Sequence, residues 1–510
     1  MKVKSTINDK AFLIIVIPLS ILFVTLLIMS LWWRMAYDLP VMLYLGFLMD
    51  SYNMVPYKDF LDVNMPGGFL LYMYLGKVFT FTDFGMRIAD LFFLSVISYC
   101  TYRYTREFGL KVSILSVLFF GIIYLKESPF FTLQRDFFIL VCLSLVMVIY
   151  FSEKHLRNTR FILIGILFGI SFSIKPHSII GFAGLAVFTY LDRKKIQKES
   201  SGMLKSLFLL TAGFLLPVAA VLIYLIQNDA LNPMLNFYSN YLPLYSRLNG
   251  EHAEINSLTI KLRYISTQLF KFGDMPLLVL SSLTGMYFLF FNYPISIIQK
   301  RKIIIFVVFS ICYFFYPAFS GQFFAHHWII FIYFGIILSS LCIMDFNKSR
   351  SKLERLIPLT VLIFVLIAYV RPHKGFSSQI STGKTDPVYY DRVDQISEYL
   401  KENYAEGDKV LLMDWSYGSM DAALKTKVTP ITPYIYDYYF YHHTSNDFIK
   451  GMRSDFISKL QNDYPEFIVR INYPGIERIF KDDFKELNEI ILNNYSLEKE
   501  GHKYKIYRLN

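Results

Sequence analysis

The chain has 510 residues, 54% of them hydrophobic and 18% aromatic, with a mean hydropathy of +0.40. Length alone would suggest about three soluble domains, but apolar runs of roughly 20 residues recur along it and indicate a polytopic membrane protein instead. The net charge of +11 is not a nucleic-acid signature. Residues 371–510 hold 19 of the 51 basic and 21 of the 40 acidic side chains, so the excess lies in short loops between the apolar runs of residues 1–370.

The N-terminal MKVKSTINDK is basic and precedes an apolar run at 11–33. That run is too long for the core of a signal peptide, and no small-residue cleavage site follows it. It reads as a retained first span with a cytoplasmic N-terminus. In all, about eleven crossings are expected, near 11–33, 85–102, 109–125, 134–152, 160–174, 178–191, 206–226, 275–291, 303–318, 326–343 and 357–370. The loops at 102–111, 152–160, 192–198, 298–302 and 347–355 are all basic, as cytoplasmic loops should be. The intervening loops, 34–84 above all, then face outward. Residues 67–81 are apolar enough to span, but a crossing there would invert every later basic loop. They are expected to form an interfacial or re-entrant helix within the first external loop.

Residues 1–370 therefore form a membrane domain. A Ser-, Gly- and Lys-rich linker is expected at 371–385, and a soluble α/β domain at 386–510. Its expected elements are a helix at 393–404, a strand at 410–415, a helix at 447–462 and a strand at 467–471. A helix bearing Lys and Glu and a final strand at 504–509 complete it. An odd number of crossings places this domain outside the cell membrane. The four cysteines, Cys100, Cys142, Cys312 and Cys342, lie in or at the ends of apolar runs and show neither metal-ligand nor disulfide spacing.

Several motifs are missing: the sequence has no G-x-G-x-x-G, P-loop, G-x-S-x-G, H-E-x-x-H or Asp-x-Asp. The polar residues that remain fall at one face in this topology. The first external loop carries Asp38, Asp50, Lys58, Asp59 and Asp62. Gln134, Arg135 and Asp136 open the fourth span, Lys175 and His177 fill a tight outer connection, and His326 and His327 open the tenth span. Tyr238, Tyr241, Tyr245 and Arg247 lie in the loop between spans seven and eight. Carboxylates at the edge of hydrocarbon are expensive to desolvate, so the aspartate cluster asks for a reason. Such a set suits group transfer from an anionic lipid, with a carboxylate taking a proton from the acceptor and Arg or Lys stabilising a leaving phosphate. Each residue also has a plainer reading. Interfacial Tyr anchors, Lys and Arg snorkel, Arg135 can pair with Asp136, and Asp50 suits a solvated loop face.

The segments VPYKDFLDVNMPGG (55–68), LQRDFF (133–138), GISFSIKPHSII (169–180) and FFAHHWIIFIYF (323–334) resemble, in order, motifs of the GT-C superfamily of polytopic glycosyltransferases. The likeness is to family 39-like members of the aminoarabinose-transferase and protein-mannosyltransferase type. Residues 65–67 read Met-Pro-Gly where that family usually has paired prolines. The resemblance implies a sugar donor linked to polyprenyl phosphate and a glycan, lipid or protein acceptor. It makes Asp38 the catalytic base, with Asp59 as a second carboxylate. Arg135, Lys175 and Lys58 would contact the donor phosphate. Asp62, Gln134, Asp136, His177, Tyr241, Tyr245, Arg247, His326 and His327 would support them. No cofactor is fixed by this reading, and Asp38 and Asp59 could hold a divalent cation. A transporter or flippase of lipid-linked glycans, or a non-catalytic scaffold, are the competing readings.

Overall fold

The computed structural model describes residues 9–152, 159–192, 202–249, 254–255, 257–271, 275–290, 295–344, 360, 374–405, 407–414, 416–472 and 484–510. The chain clusters into two compact units.

The first unit draws on Met1–Trp33, Arg87–Ala220 and Leu262–Phe376. Its centre is the helix Ile329–Ser340, IIFIYFGIILSS. This sequence is apolar on every side, so no face prefers water, and the whole helix is buried. It packs against the helices Leu110–Lys126, Arg135–Tyr150, Met275–Phe290 and Ile297–Ser320. Polar atoms inside these contacts are small hydroxyls that find carbonyls. Ser339 and Ser340 donate within their own helix at 2.6 and 2.8 Å, and Thr284 donates across to Leu338 O at 3.0 Å. Where Thr159–Ile174 meets Met203–Gln227 the backbones touch. A Cβ on Gly165 would lie 2.1 Å from the Leu210 carbonyl oxygen, so glycine is required there.

Buried charge in this unit is compensated. The guanidinium of Arg87, 2% exposed, pairs with the fully buried Asp90, bonds Ser30 Oγ at 2.5 Å and lies 4.7 Å from the Trp33 ring. Tyr124 donates to the same carboxylate. This network ties Asp9–Ser30, Asp83–Thr105 and Leu110–Lys126 together.

Among the described residues, five helices are long and apolar enough to cross a membrane: Phe12–Ser30, Asp83–Phe108, Met203–Gln227, Ile297–Phe319 and Ala325–Ile343. Three shorter apolar helices, Thr159–Ile174, Pro176–Leu191 and Leu278–Tyr287, fall on further expected crossings. The expected crossing at 357–370 lies almost wholly outside the described residues, as do most of the basic loops at 152–160, 192–198 and 347–355. Phe12–Ser30 presents Leu13, Ile14, Ile17, Ile21, Val24 and Ile28 outward, a surface suited to hydrocarbon.

The second unit draws on Arg34–Met86, Val221–Lys261 and Ser377–Asn510. The first loop thus clusters with the C-terminal residues. The sequence reading assigns no element to 34–66, but the chain forms the helix Asp38–Tyr52, because its apolar run 39–49 is entirely buried. Pro40, near the helix start, removes only an amide that has no helical partner. The helix expected at 67–81 is present as Pro66–Phe79, with proline at its first position. It packs so closely on Asp38–Tyr52 that a Cβ on Gly46 would lie 2.6 Å from Met73 N.

The C-terminal part forms a four-stranded sheet in the order β1-β2-β4-β3, with β1 (Val410–Met413) parallel to β2 (Phe467–Ile471). Strands β3 (Tyr495–Gly501) and β4 (Tyr504–Leu509) form an antiparallel hairpin beside β2. The helices Pro387–Asn403, Ser419–Thr426, Asp447–Asn462 and Lys485–Asn494 accompany the sheet, and Lys374–Thr382 is helical within the expected linker. The loop joins this layer through Leu61 N–H to Pro433 O at 2.7 Å, and through Arg34, which grips Asp394 with two bonds of 2.8 and 2.6 Å.

Asp437 is buried beside this sheet. Burial, reinforced by the charge of Asp414, pushes its carboxyl up to about 7. The folded chain therefore keeps a proton that the unfolded chain loses at about pH 4, so this group's contribution to stability falls between about pH 4 and 7. Thermal unfolding of the protein should show Tm decreasing over that window, and Asp437→Asn should flatten the decrease.

Candidate active site

In the first unit, three separate segments converge on one carboxylate. Asp136 is the second residue of the helix Arg135–Tyr150 and is completely buried. Lys175 stands before Pro176 in the tight turn after Thr159–Ile174, in the extended conformation that a following proline favours (φ −153°, ψ 109°). Its Nζ donates to both Asp136 oxygens at 3.1 and 3.0 Å. Tyr316, near the end of Ile297–Ser320, donates to Asp136 Oδ1 at 2.5 Å and places its ring 5.2 Å from Lys175 Nζ. His326 and His327 lie in the turn Ala325–Trp328. His326 Nε2 is 3.9 Å from Asp136 Oδ2, and His327 Nδ1 is 2.7 Å from the Gln322 carbonyl oxygen. The His177 ring is 6.3 Å from that of Tyr316. Arg135 and Gln134 adjoin Asp136 in sequence. Arg135 is half-buried, and Gln134 donates to Phe130 O at 3.3 Å.

The structure thus brings together Asp136, Lys175, His326 and His327. Lys175, expected to contact the donor phosphate, is buried with its ammonium between the two oxygens of Asp136. Sequence reasoning missed Tyr316, which lies unmarked inside an apolar run, and Gln322, whose contribution is a backbone carbonyl.

In the second unit, the four aspartates of the first loop separate by what they touch. Asp50 is paired with Lys77 at 2.7 Å, as a loop-face carboxylate would be. Asp59 is exposed and accepts the Val55 N–H at 2.7 Å, closing the turn in which Tyr57 adopts φ 66°. Lys58 beside it is exposed. Asp62 is fully buried and accepts from the Asn64 amide N–H at 3.1 Å and its side-chain Nδ2 at 3.0 Å. Asp38 differs from these. Its half-buried carboxylate has no hydrogen-bond or ion-pair partner among the described residues.

Asp38 opens the helix Asp38–Tyr52 directly after Tyr37, whose φ of 59° and ψ of −117° are strained for a residue with a side chain. Tyr37 is held there by a 2.5 Å bond to Asp386 and by the Tyr389 ring at 5.2 Å. Tyr417, in the loop after β1, is a neighbour sequence reasoning missed. Burial raises its phenol pKa, and Asp414 and Asp38 add to the rise. Tyr44 and Tyr52 donate to the carbonyls of Val428 and Lys427 at 2.8 and 3.0 Å, tying the helix Asp38–Tyr52 to the residues that follow the helix Ser419–Thr426.

The tyrosines of the later loop have packing roles. Tyr238 bonds Asn64 O at 2.9 Å, and Tyr241 lies 5.1 Å from Phe237 and 5.0 Å from Tyr439. Tyr245 lies 6.4 Å from Tyr438, and Arg247 is exposed.

Residues 65–224 match the family model described as dolichyl-phosphate-mannose-protein mannosyltransferase. That stretch contains Arg135, Asp136 and Lys175 but not Asp38 or the His326–His327 pair. Two solved structures share the fold. ArnT from Cupriavidus metallidurans in the apo state is 11% identical, covering 96% of this chain and 97% of that one, with a TM-score of 0.60. The same protein bound to undecaprenyl phosphate is 10% identical, covering 98% of each chain, with a TM-score of 0.58. No curated protein matches the chain in sequence. The chain thus shares the fold of ArnT, and its residues 65–224 are similar to a glycosyltransferase family model.

Removing one partner of a buried ion pair strands the other. Lys175→Met should therefore lower stability by about 3–5 kcal/mol, measured by denaturant unfolding, and the double variant Asp136→Asn/Lys175→Met should recover much of the loss. A loss in the double variant equal to the sum of the losses in Asp136→Asn and Lys175→Met would show that the pair is uncoupled.

Proposed function

We propose that the chain transfers a sugar from a polyprenyl-phosphate-linked donor to an acceptor at the outer face of the membrane, with Asp38 as the general base. The observation that carries this reading is the state of Asp38. Asp50, Asp59 and Asp62 each have a partner, whereas Asp38 opens a helix after a strained residue with an uncommitted carboxylate. A carboxylate with no structural task is available to accept a proton.

In the proposed step, Asp38 takes the proton from an acceptor hydroxyl or amine as that atom bonds to the anomeric carbon. The bond from that carbon to the phosphate oxygen breaks, and the polyprenyl phosphate leaves with the electron pair. Arg135 is the proposed contact for the phosphate, since a guanidinium matches phosphate oxygens two at a time. Lys175 serves that role indirectly, by fixing Asp136 next to Arg135. The relatives support the donor class: one family model is described by dolichyl-phosphate-mannose, and one structure of the same fold holds undecaprenyl phosphate. Asp59 and Lys58 flank the same loop in a supporting role. The outward orientation rests on the basic loops at 102–111 and 298–302.

With an undecaprenyl-phosphate-linked hexose in proteoliposomes, Asp38→Asn should reduce lipid-phosphate release by about 10²-fold or more, with Tm unchanged. Asp59→Asn should act through stability of the 55–60 turn. Full release by Asp38→Asn would remove Asp38 from the chemistry.

A further inference from the structure

Asp136, His326 and His327 are all buried, and their ligand atoms lie within 4.8 Å of one another. Among the described residues this is the one such group of three His, Cys, Asp or Glu side chains. Two imidazoles and a carboxylate are the ligand types that hold zinc with a fourth position open. Bonds of about 2.0–2.1 Å place tetrahedral ligands about 3.3 Å apart, and His326 Nε2 is already 3.9 Å from Asp136 Oδ2. A second feature points the same way. His327 Nδ1 lies 2.7 Å from the Gln322 carbonyl oxygen, and since a carbonyl only accepts, Nδ1 carries the proton and Nε2 the lone pair. Metal-ligating histidines are oriented in this way by a bond from the other ring nitrogen. Tyr316, at 2.5 Å, does the equivalent for the carboxylate.

We infer that Asp136, His326 and His327 form a site for a divalent cation of the zinc type, and that the Lys175 ammonium is the charge that takes the cation's place on Asp136 when no metal is bound. Both are cations competing for one buried carboxylate, which tolerates either but not neither. Metal binding would release Lys175 from its two bonds of 3.0 and 3.1 Å. The same carboxylate would thereby control whether the ammonium is available to an anion. This site is separate from Asp38 and Asp59, which the sequence offers as other candidate ligands. The inference stands independently of the role proposed for Asp38.

The test uses the untagged full chain in detergent, stripped with a chelator and titrated with ZnCl₂ alone by calorimetry. The expected result is saturable binding of one equivalent, weakened at least tenfold in His326→Ala and in His327→Ala. Binding should also weaken on acidification, since the ligands must lose their protons. In Lys175→Met, with the competing ammonium gone, binding should be tighter than in the parent, and zinc should raise Tm more. If Lys175→Met does not fold, the two histidine variants carry the test. No saturable binding, or binding unchanged in both histidine variants, would overturn the site and leave Asp136–Lys175 a simple ion pair. Histidine-dependent binding that Lys175→Met fails to tighten would overturn the exchange.

Discussion

A carboxylate withdrawn from water must be neutralised or bonded, and much of this chain's polar architecture follows from that constraint. Asp90 is held by Arg87 and Tyr124, Asp136 by Lys175 and Tyr316, and Asp192 by Arg301 at 2.6 and 2.7 Å and Tyr150 at 3.2 Å. Asp414 binds the Tyr417 and Ser419 amides at 2.9 and 2.7 Å. Asp437 meets the demand differently, by keeping its proton to about pH 7. Asp38, half-buried and without a hydrogen-bond or ion-pair partner among the described residues, stands apart from these, and a carboxylate of that kind at a strained helix start is where chemistry is best sought. The rule used to explain stability therefore also selects the candidate base.

The sequence was most legible where period and composition act locally. Among the described residues, the helix expected after Pro66 and the strands expected at 467–471 and 504–509 are marked by residue pattern and present, and the strand expected at 410–415 is present as Val410–Met413. Strand β3 was not foreseen, because YSLEKEG has the charge of an exposed helix. Its exposed face is solvated, and pairing with β4 is what fixes it. Helix Asp38–Tyr52 was hidden for a related reason. Pro40 beside Asp38 reads as a loop, and only burial of its long apolar run makes a helix of it.

The candidate site was legible as a set of residues but not as a set of contacts. Asp136, Lys175 and the His326–His327 pair were each marked by their place at a span end. That Lys175 closes on Asp136, and that Tyr316 reaches the same oxygen, depends on how three helices pack, which no local pattern carries. The first-loop aspartates show the same limit. The loop carries four carboxylates, and contacts with Lys77, Val55 and Asn64 set Asp50, Asp59 and Asp62 apart from Asp38, which has no such partner among the described residues.

The proposed transferase breaks a sugar–phosphate bond instead of carrying a lipid-linked sugar intact. The most direct measurement is mass spectrometry of an isotopically labelled undecaprenyl-phosphate hexose after incubation with the purified protein in proteoliposomes containing a cell-envelope extract as acceptor. The expected products are free undecaprenyl phosphate and the labelled hexose joined to another molecule. Recovery of the intact donor on the opposite leaflet, with no lipid phosphate released, would contradict the proposed transfer.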